Sequence, residues 1–283
     1  MRNPAPLLRD IARGVSSALP LALTRPRLLM DYVKLEVYRI PRRLAGTSGV
    51  VGTIVGFKVR AQTQDDLAFL ANEIFIRRAY DVPLAERPAL IIDCGANVGI
   101  SVLFFKWRWP KAAVEAIEPG PAAFSFLREN VESGGLADVR LHAVALGSAE
   151  GSATLRLPEL KSASVHASLV GRSGSDSAEV VVDVCRLSRI IAGRNVDLLK
   201  IDIEGYEGIV IDELVASGAI RHVRAMVIEY THGLAPHGTG SRLLEVLDEN
   251  GFEYEFLTQE TSWRRHGRGS AQDVLLFAER KVL

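Results

Sequence analysis

The feature that most constrains the fold is a regular alternation of short apolar stretches with longer amphipathic ones, which begins at residue 89. Apolar stretches of about four to eight residues are typical of buried strands, and longer amphipathic stretches are typical of helices. Strands that alternate with helices form a parallel sheet covered on both faces. Seven strands are predicted, at Leu90–Asp93, Val114–Glu118, Val139–Ala145, Leu198–Asp202, Val223–Tyr230, Phe252–Leu257 and Asp273–Ala278.

The connections between these strands predict helices and the direction of the last strands. The helices are expected at Val98–Trp109, Pro121–Glu132, Tyr206–Ser217 and Ser241–Asn250. Only the polar residues Gln259–Ala271 separate the last two strands, so these two are expected to pair antiparallel. The chain is therefore predicted to form a doubly wound, Rossmann-like α/β fold, in which a seven-stranded, mostly parallel sheet has an antiparallel last strand.

Two hairpins are predicted outside this alternation. One has strands at Ala153–Leu157 and Glu179–Val184, with a tip at Ser162–Ser177 that is rich in Ser, Gly and Ala. The other lies at Val50–Ala61, where apolar residues recur mostly with period two. After it, a helix capped by Thr63 or Asp65 is expected to run to about Tyr80. The expected division is a basic arm at 1–45, a hairpin and helix packing on the core at 46–88, and the main domain at 89–283.

Residues 1–43 are strongly basic, although the whole chain balances 34 basic against 34 acidic residues. They contain nine Arg or Lys and only three acids, Asp10, Asp31 and Glu36, with apolar residues between the arginines. The balanced total gives no indication of a nucleic-acid partner. The arm is expected to be a helix that packs on the domain or on a second subunit, and the alternative is peripheral contact with an anionic membrane.

Cysteine content and hydropathy favour the cytoplasm. Cys94 and Cys185 are far apart and lack metal-ligand spacing, so neither a disulfide nor a zinc site is predicted. The apolar run from Gly14 to Thr24 is interrupted by two serines and Pro20, whereas a spanning helix needs about 20 apolar residues. We therefore expect a cytoplasmic protein whose arm is its candidate for membrane association.

A glycine loop follows the first strand of the sheet, at Asp93-Cys94-Gly95-Ala96-Asn97-Val98-Gly99. Gly95 and Gly99 allow the backbone to turn sharply and to lie against a ligand, and the helix start beyond presents N–H groups to a carboxylate. Asp93 can hold an ammonium group, directly or through water. A ligand with both groups is an amino acid, and S-adenosylmethionine carries this moiety.

Glu118 is the second indication of a ligand that contains adenosine. It ends the second strand, twenty-five residues after Asp93, and Pro119 follows it. A carboxylate there can accept both ribose hydroxyls, and Ala145 at the end of the third strand is expected to lie against adenine. A nicotinamide cofactor would favour G-x-G-x-x-G, and Asn97 stands where its second glycine would be. This loop composition argues against a nicotinamide-dependent oxidoreductase, which is kept as the alternative.

An acid-rich turn, residues 202–207, follows the fourth strand of the sheet. Its position at a carboxyl end puts Asp202 and Glu204 in the crevice where open α/β sheets bind ligands. Asp202 is predicted to orient the sulfonium or the acceptor hydroxyl, and Glu204 to take the proton. Glu207 either contributes to the site or caps the next helix. Lys200 is expected to pair with one of these acids.

His232 follows the fifth strand and, with Glu229, is expected to face the same crevice. Its unperturbed pKa suits a general base, so His232 is a third candidate catalytic residue. Asp202, Glu204 and Glu229 also offer oxygen ligands for Mg²⁺ or Ca²⁺. A divalent ion is kept as a second hypothesis, and we do not expect it to be essential.

These motifs resemble those of the FkbM-type methyltransferases. The resemblance is carried by Ile92 to Gly99, by Glu118-Pro119 with Phe124, Leu127 and Asn130, and above all by Asp197 to Gly205 with Glu207. It extends from about residue 50 to the C-terminus. It implies the class I methyltransferase form of the fold and transfer of a methyl group from S-adenosylmethionine to a hydroxyl, on polyketides or the sugars of glycolipids. A non-catalytic adaptor with the same fold is a further alternative.

Overall fold

The computed structural model describes residues 5–22, 24–45, 49–157, 178–232, 240–257 and 272–281. The segment ahead of the main sheet contains three α-helices and a hairpin, with a short 3-10 helix at Leu19–Ala22 between the first two. Their bounds are α1 Ala5–Ala18, α2 Pro26–Ala45, β1 Val50–Ile54, β2 Phe57–Ala61 and α3 Gln64–Ala71. The predicted arm and hairpin are confirmed, and β1 and β2 pair antiparallel around the two-residue turn Val55-Gly56. Both turn residues have positive φ, which matches the twist of a tight hairpin.

The helix after the hairpin is shorter than predicted. Thr63 caps α3 by accepting the N–H of Asp66 at 3.1 Å, and α3 ends at Ala71. One π-helical turn then continues to Ile76. Arg78 has a φ of +59°, a left-handed conformation that a helix cannot contain. Tyr80 consequently lies outside the helix.

Strands and helices then alternate through the rest of the chain. The strands are β3 Leu90–Cys94, β4 Ala113–Ile117, β5 Val139–His142, β6 Ala145–Leu146, β7 Gly151–Leu157, β8 Ala178–Cys185, β9 Leu198–Ile201, β10 Ala225–His232, β11 Phe252–Phe256 and β12 Gln272–Arg280. The helices are α4 Ile100–Arg108, α5 Pro121–Ser133, α6 Leu187–Ile191, α7 Glu207–Ala216 and α8 Gly240–Glu249. Each predicted helix of the main domain is present within a few residues of its expected bounds.

The main sheet has seven strands in the order β11-β12-β10-β9-β3-β4-β5. The pairs from β10 to β5 are parallel, and β12 lies antiparallel between β10 and β11. The predicted Rossmann-like sheet with an antiparallel last strand is therefore confirmed. The chain moves one way from β3 to β5 and the other way from β9 to β10, so the strand order reverses between β3 and β9. Open α/β sheets bind ligands at the carboxyl edge of such a reversal.

The predicted strand at Val139–Ala145 is in fact two strands. β5 ends at His142, and β6 belongs to a separate three-stranded sheet in the order β6-β8-β7. β5 is the edge of the main sheet, so the chain leaves it there to pair with β8. The predicted hairpin of β7 and β8 is confirmed as antiparallel, and its tip at Ser162–Ser177 lies outside the described residues.

Two hydrophobic clusters cover the two faces of the sheet. Neighbouring residues of one strand fall in different clusters: Ile91 packs in the cluster with α4 and α5, and Ile92 in the cluster with α7 and α8. This alternation follows from the two-residue period of a strand. Burying one such side chain stabilises the fold by about 1.5–3 kcal/mol, so both faces hold the central strands in place.

Candidate active site

A cleft opens at the carboxyl edge of the sheet, around the ends of β3, β4 and β9. Its walls come from the glycine loop, the acid-rich turn, β6 and the segment around α3. Eight of the predicted site residues line it: Gly95, Ala96, Asn97, Glu118, Pro119, Ala145, Asp202 and Glu204. Motifs that are far apart in the sequence therefore face a single space.

Two predicted site residues lie behind the wall of the cleft. Asp93 has no exposed surface; it accepts a hydrogen bond from Ser101 Oγ at 2.5 Å and lies 3.1 Å from Lys200 Nζ. A ligand in the cleft meets Lys200 and Ser101 before it meets this carboxylate. Gly99 is also withdrawn, because a Cβ there would lie 2.7 Å from Leu127 Cδ1. Its role in the structure is close packing of α4 on α5.

His232 is the last residue of β10, where its backbone pairs with that of Gln272. Its side chain lies outside the described part of the structure. Glu229, three residues earlier on the same strand, lines the cleft as predicted.

The glycine loop is pressed against the acid-rich turn. The N–H groups of Gly95 and Ala96 both donate to the carbonyl of Ile117, at 3.0 and 2.9 Å. Gly95 has a φ of +81°, and a Cβ added there would lie 1.8 Å from the carbonyl oxygen of Asp202. Only glycine therefore fits at this position, for both conformational and steric reasons.

Glu118 stands at the base of the cleft, held by two backbone N–H groups. One carboxylate oxygen accepts from Asn97 at 2.9 Å and the other from Gly120 at 2.7 Å. Burial raises the pKa of Glu118 to about 7, although these two bonds and the charge of Lys200 oppose the rise. Each oxygen keeps a second lone pair for a hydroxyl donor. The carboxylate is therefore preorganised to accept hydrogen bonds from a ligand.

Glu207 holds the acid-rich turn together through hydrogen bonds to its backbone. It is fully buried, and its Oε1 accepts from the N–H groups of Ile203 at 3.2 Å and Gly205 at 2.8 Å. The capping interpretation of Glu207 is thus the one that the structure supports. Burial raises its pKa to about 7 against these bonds. Glu204 adopts a φ of +54°, which turns the chain so that Glu204 lines the cleft.

Lys200 connects the glycine loop to the acid-rich turn. Its buried ammonium lies 3.1 Å from Asp93 Oδ1 and 3.4 Å from Asp202 Oδ2, and it donates to the carbonyl of Gly95 at 2.6 Å. The expected pairing with an acid is confirmed, and there are two such partners. Burial alone would lower the pKa of Lys200, but Asp93 and Asp202 outweigh it and raise the pKa above its usual value. Lys200 is therefore a fixed positive charge.

Tyr80 is a cleft residue that the sequence patterns did not single out. Its hydroxyl lies 3.1 Å from Asp202 Oδ2 and 3.4 Å from Glu229 Oε2, and its ring centroid lies 5.2 Å from Lys200 Nζ. Burial, followed by the charges of Asp202 and Glu229, raises the pKa of this hydroxyl well above its usual value. Tyr80 therefore keeps its proton, and its hydroxyl donates hydrogen bonds to the two carboxylates.

The divalent-metal hypothesis has no support in the described residues. Among them, no three His, Cys, Asp or Glu side chains are grouped so that they could hold a metal ion. Asp202 and Glu229 instead share the hydroxyl of Tyr80, and Asp202 is paired with Lys200. These contacts are made by Oδ2 of Asp202 and by Oε2 of Glu229.

Comparison with known proteins identifies a family for this chain. The family described as "Methyltransferase FkbM domain" matches residues 93–254. "Methyltransferase 1" of Beauveria bassiana is 31% identical over 162 residues, which are 50% of this chain and 65% of that protein. The chain thus spans just under two thirds of this relative. "Methyltransferase sdnD" of Sordaria araneosa is 27% identical over 65% of this chain and 82% of its own length.

A third relative and two solved structures complete the comparison. The "31-O-demethyl-FK506 methyltransferase FkbM" of Streptomyces tacrolimicus is 42% identical over 64 residues, 22% of this chain and 25% of that protein. A methyltransferase FkbM from Methylobacillus flagellatus has a TM-score of 0.44 at 16% identity, over 95% of this chain and 60% of that one. P. horikoshii TYW2 has a TM-score of 0.48 at 17% identity, over 87% and 84%.

Proposed function

The chain belongs to the FkbM methyltransferase family, and from that membership we propose that it transfers a methyl group from S-adenosylmethionine to a hydroxyl of a small molecule. The observation that carries the proposal is the meeting of the glycine loop and the acid-rich turn in one cleft, where Gly95 contacts the carbonyl of Asp202. Fold alone would not distinguish this function from others. The proposal therefore rests on the side chains of the cleft.

The donor half of the cleft fits the adenosine and amino-acid parts of S-adenosylmethionine. Glu118 presents a held carboxylate to the two ribose hydroxyls, and Ala145 offers a small apolar surface to adenine. Ala96 and Asn97 bring loop backbone to the amino-acid part. Asp93 acts indirectly in this proposal, since it is buried against Lys200.

The acid half fits the reacting groups. When bound, S-adenosylmethionine supplies a methyl group on a positively charged sulfur. Asp202, which is paired with Lys200 and accepts from Tyr80, would place negative charge beside that sulfur. The sulfonium would give its methyl carbon to the acceptor oxygen and would keep the electron pair of the carbon–sulfur bond. Glu204 takes the hydroxyl proton.

The proposed acceptor is a hydroxyl on a sugar, a glycolipid or a polyketide-type natural product. The family's substrates motivate this choice, and the relative from Streptomyces tacrolimicus is named for a 31-O-demethyl substrate. Release of S-adenosylhomocysteine in the presence of glycolipid and polyketide acceptors tests it. Loss of that release in Glu204→Gln, with the donor still bound, is the expected result.

Calorimetric titration with S-adenosylmethionine and, separately, with NADH tests the donor. We expect S-adenosylmethionine to bind to the wild type and to fail to bind to Glu118→Ala. Glu132→Ala is the matched control, because Glu132 is an exposed glutamate at the end of α5. Binding of NADH alone would overturn the proposal and favour an oxidoreductase.

A further inference from the structure

Helix α2 has a buried face that packs on the body of the protein. Leu28, Tyr32 and Leu35 recur at spacings of three or four residues and are each no more than 3% exposed. The carbonyl of Leu35 accepts from Gln64 Nε2 of α3 at 2.7 Å. Through this face the arm packs on the rest of the protein, which is one of the two packing partners expected from the sequence.

The opposite face of α2 is also apolar, yet it is exposed. Met30, Val37 and Tyr38 are 58%, 58% and 52% exposed, and helical spacing puts them on one stripe with the exposed cations Arg27 and Lys34. Nine large hydrophobic side chains in the described residues are exposed by more than a third. Five of these nine lie in the arm: Leu8, Leu19, Met30, Val37 and Tyr38.

The charge on this surface is one-sided because the acids of the arm are withdrawn from it. Asp31 and Glu36 are 7% and 2% exposed, and Glu36 is paired with Arg39. Of the three acids in residues 1–43, Asp10 is thus the one that stays exposed. The exposed cations of α2, Arg27 and Lys34, form no ion pair with any described residue.

We propose that the exposed stripe of α2 (Arg27, Met30, Lys34, Val37 and Tyr38) docks the protein on the surface of an anionic bilayer. Apolar side chains flanked by Lys and Arg are the composition of helices that lie in the interface plane. No helix among the described residues is both long and apolar enough to cross a bilayer. In a symmetric dimer the stripe would meet its own copy, which offers Lys34 only cations, so a second copy of the chain suits the stripe less well.

Helix α2 also contacts the segment that forms one wall of the cleft. Arg39 of α2 pairs with Asp65 of α3 at 2.8 Å, and Leu70 and Ile74, just beyond, line the cleft. A lipid-linked acceptor, such as a glycolipid, is therefore the substrate class that this surface favours. That extension rests on the proposed function, whereas the docking itself does not.

Co-sedimentation of the full chain with vesicles tests the docking without any methyl donor. The vesicles contain phosphatidylcholine alone or phosphatidylcholine with phosphatidylserine. We expect binding to the anionic vesicles only, weakened at high salt because part of the attraction is screened. Val37→Asp is expected to reduce partitioning on the order of ten-fold, and Lys34→Glu roughly five-fold or more.

Matched substitutions away from the stripe serve as controls. Val181→Asp changes a valine that is 72% exposed on β8, and Lys111→Glu changes an exposed lysine between α4 and β4. Both are expected to leave partitioning unchanged. Absence of vesicle binding, equal loss in the controls, or a dimer in sedimentation velocity that Val37→Asp dissociates would each overturn the docking. Titration with S-adenosylmethionine is independent, so failure of either proposal is recognised separately.

Discussion

The two halves of the cleft are built in different ways. In the donor half, the groups that hold Glu118 lie 21 and 2 residues from it in the chain. In the acid half, the hydroxyl of Tyr80 meets carboxylates that lie 122 and 149 residues away. A local site is specified by short sequence motifs. A site assembled from distant segments depends on the whole sheet being formed.

Charge distinguishes the halves as well. The negative charge of Glu118 is stabilised by two backbone N–H groups that are fixed in place and carry only partial charges. In the acid half, Lys200 pairs with the partly exposed Asp202 and also forms a buried ion pair with Asp93 of the glycine loop, and such a buried pair is stable only while both partners are present. We therefore expect the two halves to respond differently to substitution.

Gly95→Ala breaks the contact where the halves meet, and we expect the largest effect from it. The new Cβ would lie 1.8 Å from the carbonyl oxygen of Asp202, so the backbone must move. The free energy of unfolding should fall by about 4 kcal/mol or more, as measured by urea denaturation. Gly135→Ala is the control, because Gly135 also has positive φ but has open space around it. Its strain should amount to about 1 kcal/mol, and equal losses would contradict the steric argument.

Lys200→Met tests whether the acid half depends on one buried cation. The substitution leaves Asp93 buried without its ion-pair partner, and the expected loss is about 3 kcal/mol of unfolding free energy. The double variant Lys200→Met with Asp93→Asn should recover part of that loss, since the unpaired charge is removed. Strictly additive losses in this cycle would mean that the pair is not coupled.

Glu207 gives a further test of the comparison. It lies in the acid half, but its hydrogen-bond partners are only two and four residues away in the chain. Its pKa in the folded protein is about 7, above its ordinary 4.5, so the folded state binds a proton that the unfolded state releases between these values. The resulting stability is fully present below pH 4.5 and is lost as the pH rises through 7. Wild type should therefore gain about 2 kcal/mol over Glu207→Gln between pH 8 and pH 5. Parallel pH profiles of the two proteins would refute this.

Tyr80→Phe is expected to have the smallest effect of the four. The ring and its packing remain, but Asp202 and Glu229 lose their shared donor. Calorimetry should show S-adenosylmethionine binding weakened by about 1 kcal/mol, the usual contribution of one hydrogen bond. Tyr254→Phe, on β11 and outside the cleft, should bind as the wild type does. Unchanged binding in Tyr80→Phe would show that the hydroxyl does not position Asp202 for the donor.

Sequence patterns predicted the main sheet and its helices well, because the spacing of apolar residues differs between buried strands and amphipathic helices. Alternating apolar and amphipathic stretches identified the seven strands and the four long helices between them. The errors fall where neighbours in space decide the outcome. The third strand divides because β6 pairs with β8, and the helix after Thr63 ends early because Arg78 turns the chain towards the cleft.

The site residues divide in the same way, into those that local sequence predicts and those that depend on contacts between distant segments. Glu118 and the glycine loop could be located from the sequence, since a strand that ends in a carboxylate or a tight turn has a recognisable form. The sequence by itself determined the family, the sheet and the local donor half. Only the tertiary structure decided that Asp93 is withdrawn behind Lys200 and that Tyr80 joins Asp202 to Glu229. The physical reason is that a buried charge takes its partner from whatever segment the fold brings within hydrogen-bonding distance, and sequence spacing does not encode that distance.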